Sequence, residues 1–203
     1  KYFQDYLHHG FYPFFLEKRN FSENLLKTMN MMIEVDILLI YQMEQKNLNR
    51  IKKLLYLLAT RGTGTPNVSQ LAQEVLTSRT TIANYIKFLS DARLINILYR
   101  KGEDYPKKPG RIMMNNTNLM YAMTPGNVNT EDLMDTFFQN AIWGKHKIRI
   151  GDRGCTFLLD NQYRFRLQNE APKRKSTDVI YVRSDKNIGD EQVIPLWMFG
   201  LLY

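Results

Sequence analysis

Cysteine is nearly missing from this chain: one thiol, Cys155, stands among 203 residues. No internal disulfide framework can be built from it, which fits a reducing, cytoplasmic compartment. Histidine is almost as scarce, at three residues. His8 and His9 are adjacent, so on a helix they point to different faces and make poor joint metal ligands. His146 and Cys155 have no partner at metal-ligand spacing, and surface or structural roles are expected for all four. No apolar run reaches the roughly 18 residues of a membrane span. The best attempt, "EVDILLIY" (34–41), is short and carries Asp36. The N-terminus "KYFQDYLHHGFYPFF" has no uninterrupted apolar stretch of the kind a signal peptide needs. No Gly-x-Ser-x-Gly, His-Glu-x-x-His or Walker sequence occurs, so the common hydrolase, zinc-protease and nucleotide-binding signatures are all absent. The Gly-x-Gly of "RGTGTPN" (61–67) lacks the following Lys-Ser/Thr of a phosphate-binding loop. An initiator Met is absent too, and "KYFQDYL" reads as the middle of an amphipathic helix, so a segment of a longer protein is expected.

What is present is a folded chain with 44% hydrophobic and 12% aromatic residues, and a net charge of +8 that is unevenly spread. Residues 1–43 hold 4 Lys/Arg against 5 Asp/Glu, residues 44–111 hold 13 against 5, and residues 112–203 hold 11 against 10. The excess sits in the middle third, where it would attract polyanions by Coulomb steering and counterion release. A solvated basic surface is the competing explanation.

Periodicity orders the same region. "NFSE" (20–23) has the form of a capping box, Asn20 accepting backbone N–H groups and Glu23 reaching back. It precedes a helix with Leu25, Met29, Met32 and Ile33 on its apolar side. A second helix is predicted from near Asn47 or Asn49, with Leu48, Ile51, Leu54, Leu55 and Leu58 in one stripe and Arg50, Lys52 and Lys53 off it. "VSQLAQEV" (68–75) is a short helix that Ser69 can cap, with Leu71, Ala72 and Val75 inward. After a break at Leu76–Ser78, a third helix follows within "LTSRTTIANYIKFL" (76–89), burying Ile82, Tyr85, Ile86 and Leu89. "ARLINILYR" (92–100) and "RIMMN" (111–115) read as paired strands around the turn "KGEDYPKKPG", with Asn96 pointing away from the apolar side. Three helices and a hairpin make a winged helix-turn-helix.

In that architecture the first turns of the third helix face a DNA groove. Ser78, Arg79, Thr80, Thr81, Asn84 and Lys87 occupy those turns, and Lys101, Lys107, Lys108 and Arg111 of the wing suit phosphate contact. Many winged helices contact proteins instead, so that alternative stays open.

Downstream, "TNLMYAM" (117–123) is a short helix stopped by "TPGN". Thr130 then caps a helix carrying Leu133, Met134, Phe137, Phe138 and Ile142, which ends near Gly144. Strands follow at "HKIRI" (146–150), "CTFLL" (155–159), "YRFRLQ" (163–168) and "DVIYV" (178–182), with Asp160-Asn161-Gln162 as a tight turn. The apolar "VIPLWMFGLLY" (193–203) is expected to be packed. The fold class is α+β: a helical segment over 1–45, a winged helix over 46–115 and a small α+β domain over 116–203.

"FLEKRNFSENLLKTMNMMIEVDI", "LAQEVLTSRTTIANYIKFLSDARLI" and "NNTNLMYAM" followed by "DTFFQNAI" resemble the C-terminal two-thirds of a large prokaryotic group of AAA-type ATP-binding proteins. "IPLWMFGLLY" resembles the end of the group's Bacteroides-type members. The resemblance implies that residues 1–45 are the remnant of an ATPase lid and that residues 46–115 are a winged helix. It also implies that the remainder is a restriction-endonuclease-like domain. ATP and Mg²⁺ would belong to a domain upstream of Lys1, so this chain by itself is expected to hold no cofactor and to be no enzyme.

A nuclease of that kind needs an acid near Thr156 and Glu-x-Lys at Arg166-Leu167-Gln168. Both carboxylates and the Lys are absent; Asp160 and Glu170 are out of register. An arginine at the metal-ligand position repels a cation. Arg164 and Arg166 share a strand face and could contact phosphate, although a solvated strand face serves equally well. The expected partners are duplex DNA and the ATPase domain of the same protein, with no membrane and with an oligomer open. The alternatives are an assembly scaffold without DNA contact and, least favoured, a residual nuclease.

Overall fold

Apolar residues three and four apart build the first half of the chain, as the computed structural model shows for the residues it describes: 1–17, 20–36, 44–171 and 176–202. Most of "EVDILLIY" lies outside them. Helices and strands together make an α+β chain. Among the described residues, no helix is long and apolar enough to cross a membrane.

The N-terminal turn α1 (Tyr2–Asp5) continues as a π-helix over Tyr6–Gly10 and is followed by a 3₁₀ turn, Pro13–Glu17. Helix α2 (Phe21–Val35) buries Phe21, Leu25, Met29 and Ile33. Its start corrects the expected capping box. Asn20 is left-handed (φ 58°) and its side chain caps nothing, while Glu23 turns outward to Lys27 at 2.7 Å. Helix α3 (Gln45–Arg61) starts slightly earlier than expected and buries Leu48, Ile51, Leu54, Leu55 and Leu58. Helix α4 (Val68–Val75) buries Leu71, Ala72 and Val75, but its cap is Asn67, which accepts from the Gln70 N–H at 3.2 Å. Ser69 already lies inside the first turn and cannot cap. Helix α5 (Arg79–Asp91) buries Ile82, Tyr85, Ile86 and Leu89, and Phe88 as well.

Strands β1 (Ile95–Leu98) and β2 (Arg111–Met114) form a two-stranded sheet. Asn96 does not point to solvent, as its polarity led us to expect. It is buried, and its amide donates to the Asn115 carbonyl at 3.2 Å while its oxygen accepts from Asn115 Nδ2. A buried amide is tolerated when a second amide satisfies it. Helix α6 (Thr117–Met123) is capped by Asn116, whose Oδ1 accepts from the Leu119 N–H at 3.0 Å.

Helix α7 (Thr130–Ile142) buries its five expected apolar residues, but Asn129, not Thr130, is the cap, accepting from Glu131 and Asp132 N–H groups. Strands β3 (Ile148–Ile150), β4 (Phe157–Leu159), β5 (Tyr163–Leu167), β6 (Ile180–Arg183) and β7 (Val193–Pro195) form one sheet in that order. The first two pairings are antiparallel and the last two parallel. Asp160 and Asn161 both take left-handed angles in the three-residue β4–β5 turn, where the Gln162 N–H donates to the Leu159 carbonyl at 2.9 Å. Phe138 of α7 fills the sheet face, 5.1 Å from Phe157 and 4.7 Å from Phe199. The apolar tail is packed only in part: Leu196 and Phe199 are buried in the closing 3₁₀ turn, whereas Met198, Leu201 and Leu202 are exposed.

The chain divides into two compact units, Lys1–Ile97 with Ile112–Val128, and Leu98–Arg111 with Asn129–Tyr203. The expected segments 1–45, 46–115 and 116–203 do not coincide with them. Within the first unit one apolar core runs through α2 to α6. Within the second, the charged turn after β1 is tied to β3. Ile150 N–H donates to the Tyr99 carbonyl at 3.0 Å, and Arg149 donates to the Glu103 carbonyl at 2.6 Å and to Asp104 at 3.0 Å.

Candidate functional site

Helix α5 is the best candidate surface in the first unit. Its apolar residues face the core, leaving Arg79, Thr80 and Asn84 exposed and Thr81 and Lys87 half-buried. Three of the six residues expected here, Ser78, Thr81 and Lys87, are occupied in holding the helix. The Ser78 hydroxyl accepts from the Thr81 N–H at 3.1 Å and lies 2.9 Å from the Thr81 hydroxyl, a side-chain cap that fixes the first turn. Lys87 forms an ion pair with Asp91 one turn on. The presented groups of this helix are therefore Arg79, Thr80 and Asn84. Beside them Leu76, in the left-handed turn that ends α4, is 76% exposed.

The remaining expected contacts belong to the second unit. Lys101, Lys107 and Lys108 are exposed on the turn that Arg149 holds. Arg111 is not presented in the same way. Its guanidinium pairs with the Asp135 carboxylate of α7, and its Cζ lies 5.6 Å from the Phe157 ring centre. Burial pushes the Asp135 carboxyl up from the usual carboxylate range, and Arg111 pulls it partly back. Arg164 is taken as well, by Asp152 at 3.0 Å and by Asp178. Arg166, on the same strand, is exposed.

A cleft of about 980 Å³ in the second unit is lined by Arg111, Glu131, Asp135, Thr156, Arg166 and Glu170, among others. It gathers the positions where the nuclease resemblance requires its acids and lysine. Thr156 Oγ1 accepts from the Leu167 N–H at 3.0 Å, and Gln168 Nε2 donates to the Glu170 carbonyl at 2.7 Å. Asp160 lies elsewhere, 2.7 Å from His146 Nδ1, and that contact draws its carboxyl below the usual range. His8 stacks on Tyr121 with ring centres 3.6 Å apart, and burial lowers its pKa. Among the described residues, no group of three or more His, Cys, Asp and Glu is placed to hold a metal ion.

A family profile described as a domain of unknown function, DUF8612, matches residues 1–127. The chain belongs to the DUF8612 family. No curated protein and no solved structure matches it. The DUF8612 match ends one residue before the last residue of the first unit, Val128. It therefore contains all of α2 to α6, and the cleft residues from Glu131 onward lie outside it.

Helix α3 of the DUF8612 segment was not among the expected contacts. Lys46, Arg50 and Lys53 fall on its outer side, opposite the buried leucines. The available signal was the lack of any Asp or Glu from Gln45 to Arg61.

Proposed function

We propose that this chain is a non-catalytic region that binds duplex DNA through a winged helix. Arg79, Thr80 and Asn84 of α5 would meet the DNA groove, and Lys101, Lys107 and Lys108 would contact phosphates. The AAA-type resemblance makes it the C-terminal region of an ATPase and makes the upstream ATPase domain its partner within the protein. The observation that carries the reading is the division of α5: a fully buried apolar side, and an exposed N-terminal half that is cationic and polar. Short polar groups and an arginine at the first turns of such a helix suit phosphate and base-edge contact.

The strand order β3-β4-β5-β6-β7 with α7 on one face supports the nuclease-like reading of the second unit. The residues present do not fit a catalytic divalent metal. Thr156 and Gln168 offer no charge, Arg166 is a cation, and the guanidinium of Arg111 already sits on Asp135. No cleavage step is assigned to this cleft.

The test is anisotropy of a labelled duplex over a salt series. Phosphate contacts predict affinity falling steeply from low to moderate salt, and Arg79→Ala with Asn84→Ala is expected to weaken binding while circular dichroism stays unchanged. Wild-type chain without salt-sensitive duplex binding overturns the reading. The exposed Leu76 favours a second reading, a protein-contact scaffold, which that result would leave standing.

A further inference from the structure

We infer that the outer face of α3 is a second, sequence-independent phosphate-contact surface of the first unit, separate from α5. This rests on the DNA-binding reading above and adds to it a helix that the reading did not use.

The charge of the first unit points there. Between Glu44 and Ile97 there are 8 Lys/Arg and 3 Asp/Glu; five of the cations, and none of the acids, lie in Gln45–Arg61. The other two long helices outside α5 are different: α2 carries Glu23 and Glu34, and α7 carries three acids and no cation. A face that serves solubility alone usually mixes both signs.

The placement of these cations opposes the stability of the helix. Lys46 and Arg50 are an i,i+4 pair of like charge, which disfavours a helix. Lys46 also stands in the first turn, where the helix dipole disfavours a cation and the helix has no acidic residue. The apolar side, buried along its full length, holds α3 in place regardless.

Neighbouring acids neutralise the face only in part. Glu44 pairs with Lys46 at the exposed helix start, and Glu34 of α2 pairs with Lys52 at 2.6 Å. Glu74, whose carboxyl the Lys53 charge acts on, is already engaged by Arg61 at 2.6 Å and by Gln70 at 2.9 Å. The Tyr85 hydroxyl, which the Arg50 charge acts on, donates to Asn47 Oδ1 at 3.0 Å and is neutral, so the charge of Arg50 stays in place. Along the same side the face continues to Tyr56, which is 54% exposed and can donate its hydroxyl to phosphate oxygen. At 1.5 Å per residue the line from Lys46 to Tyr56 is about 15 Å long, enough to follow a strand over several phosphates. An extended line of cations fits a polyanion backbone.

The experiment uses the full chain and a 30-base-pair duplex of scrambled sequence. The variants are Lys46→Gln with Lys53→Gln, which keep the alkyl stems, and Lys53→Glu. The slope of log affinity against log salt is expected to shrink by about 1 for each lysine removed, equally on unrelated sequences. Arg79→Ala, measured in parallel, reports on α5. If the wild type binds and Arg79→Ala weakens binding but the lysine variants keep the full slope, the α3 inference fails alone. If the wild type binds no duplex, the DNA reading and this inference fail together. If poly-glutamate is bound as tightly and with the same salt slope, the face serves an acidic protein and the inference is overturned.

Discussion

Asn118 Nδ2 donates to the Leu7 carbonyl at 2.8 Å, joining two backbone segments 111 positions apart. The same amide donates to the Tyr6 carbonyl at 3.2 Å, and its oxygen accepts from the Phe11 N–H at 2.9 Å. Thr117 adds a bond to Leu7, and Asn116 one to the Tyr12 hydroxyl. A π-helical turn leaves carbonyls unpaired at its end, and "NNTN" supplies side chains to satisfy them. Asn118→Leu keeps the volume and removes all three bonds. It is expected to destabilise the chain by about 1–3 kcal/mol in urea unfolding, since buried groups are left unmatched. A change within a few tenths would show that water replaces the amide.

The Arg111–Asp135 pair makes a different prediction. Asp135 is buried, and its raised pKa means that the folded state holds the proton more tightly than the unfolded one. Stability therefore falls as pH rises from the unfolded carboxylate value through the folded one, and Arg111 reduces that fall. Arg111→Ala leaves the carboxylate alone, with an expected loss of about 3–5 kcal/mol near neutral pH. The loss should shrink in acid, as Asp135 takes up a proton. Arg111→Met with Asp135→Leu should recover most of the stability. An equal loss at both pH values would mean that Arg111 acts by packing on Phe157.

Asp160 works in the opposite direction. His146, then the Lys147 N–H, hold its carboxyl below the usual range. Its contribution is complete above the unfolded carboxylate value and is lost as pH falls through the lower, folded one. Thermal melts of Asp160→Asn and wild type should therefore differ at neutral pH and converge in acid. A difference that persists in acid would place the effect in the turn geometry.

Much of the fold was legible in local pattern. The stripe Leu48–Leu58 marked α3, and the break at Leu76–Ser78 marked the start of α5, because each apolar side must be buried by a neighbouring element. Caps were read one or two positions off at Asn67 and Asn129, because Ser69 and Thr130 could equally have served; helix entry angle decides between them. Strand β7 was hidden inside an apolar tail whose period alone does not separate strand from turn.

The candidate site was legible in residue type and less so in availability. Arg79, Thr80 and Asn84 are exposed as their polarity implied, whereas Ser78, Lys87, Arg111 and Arg164 are engaged by neighbours. The acids that hold Arg111 and Arg164 lie 12 to 24 positions away in sequence, beyond any helical or strand period.

By itself the sequence determined the helices, most strands, the apolar sides and the concentration of positive charge in residues 44–111, because these depend on neighbours within one or two turns. The tertiary structure alone decided which cations remain presented, how Asn96 and Asn118 are satisfied, and that the turn after β1 is anchored to β3. Each of those outcomes depends on a partner brought close only when distant segments pack, where burial removes the water that would otherwise satisfy every polar group.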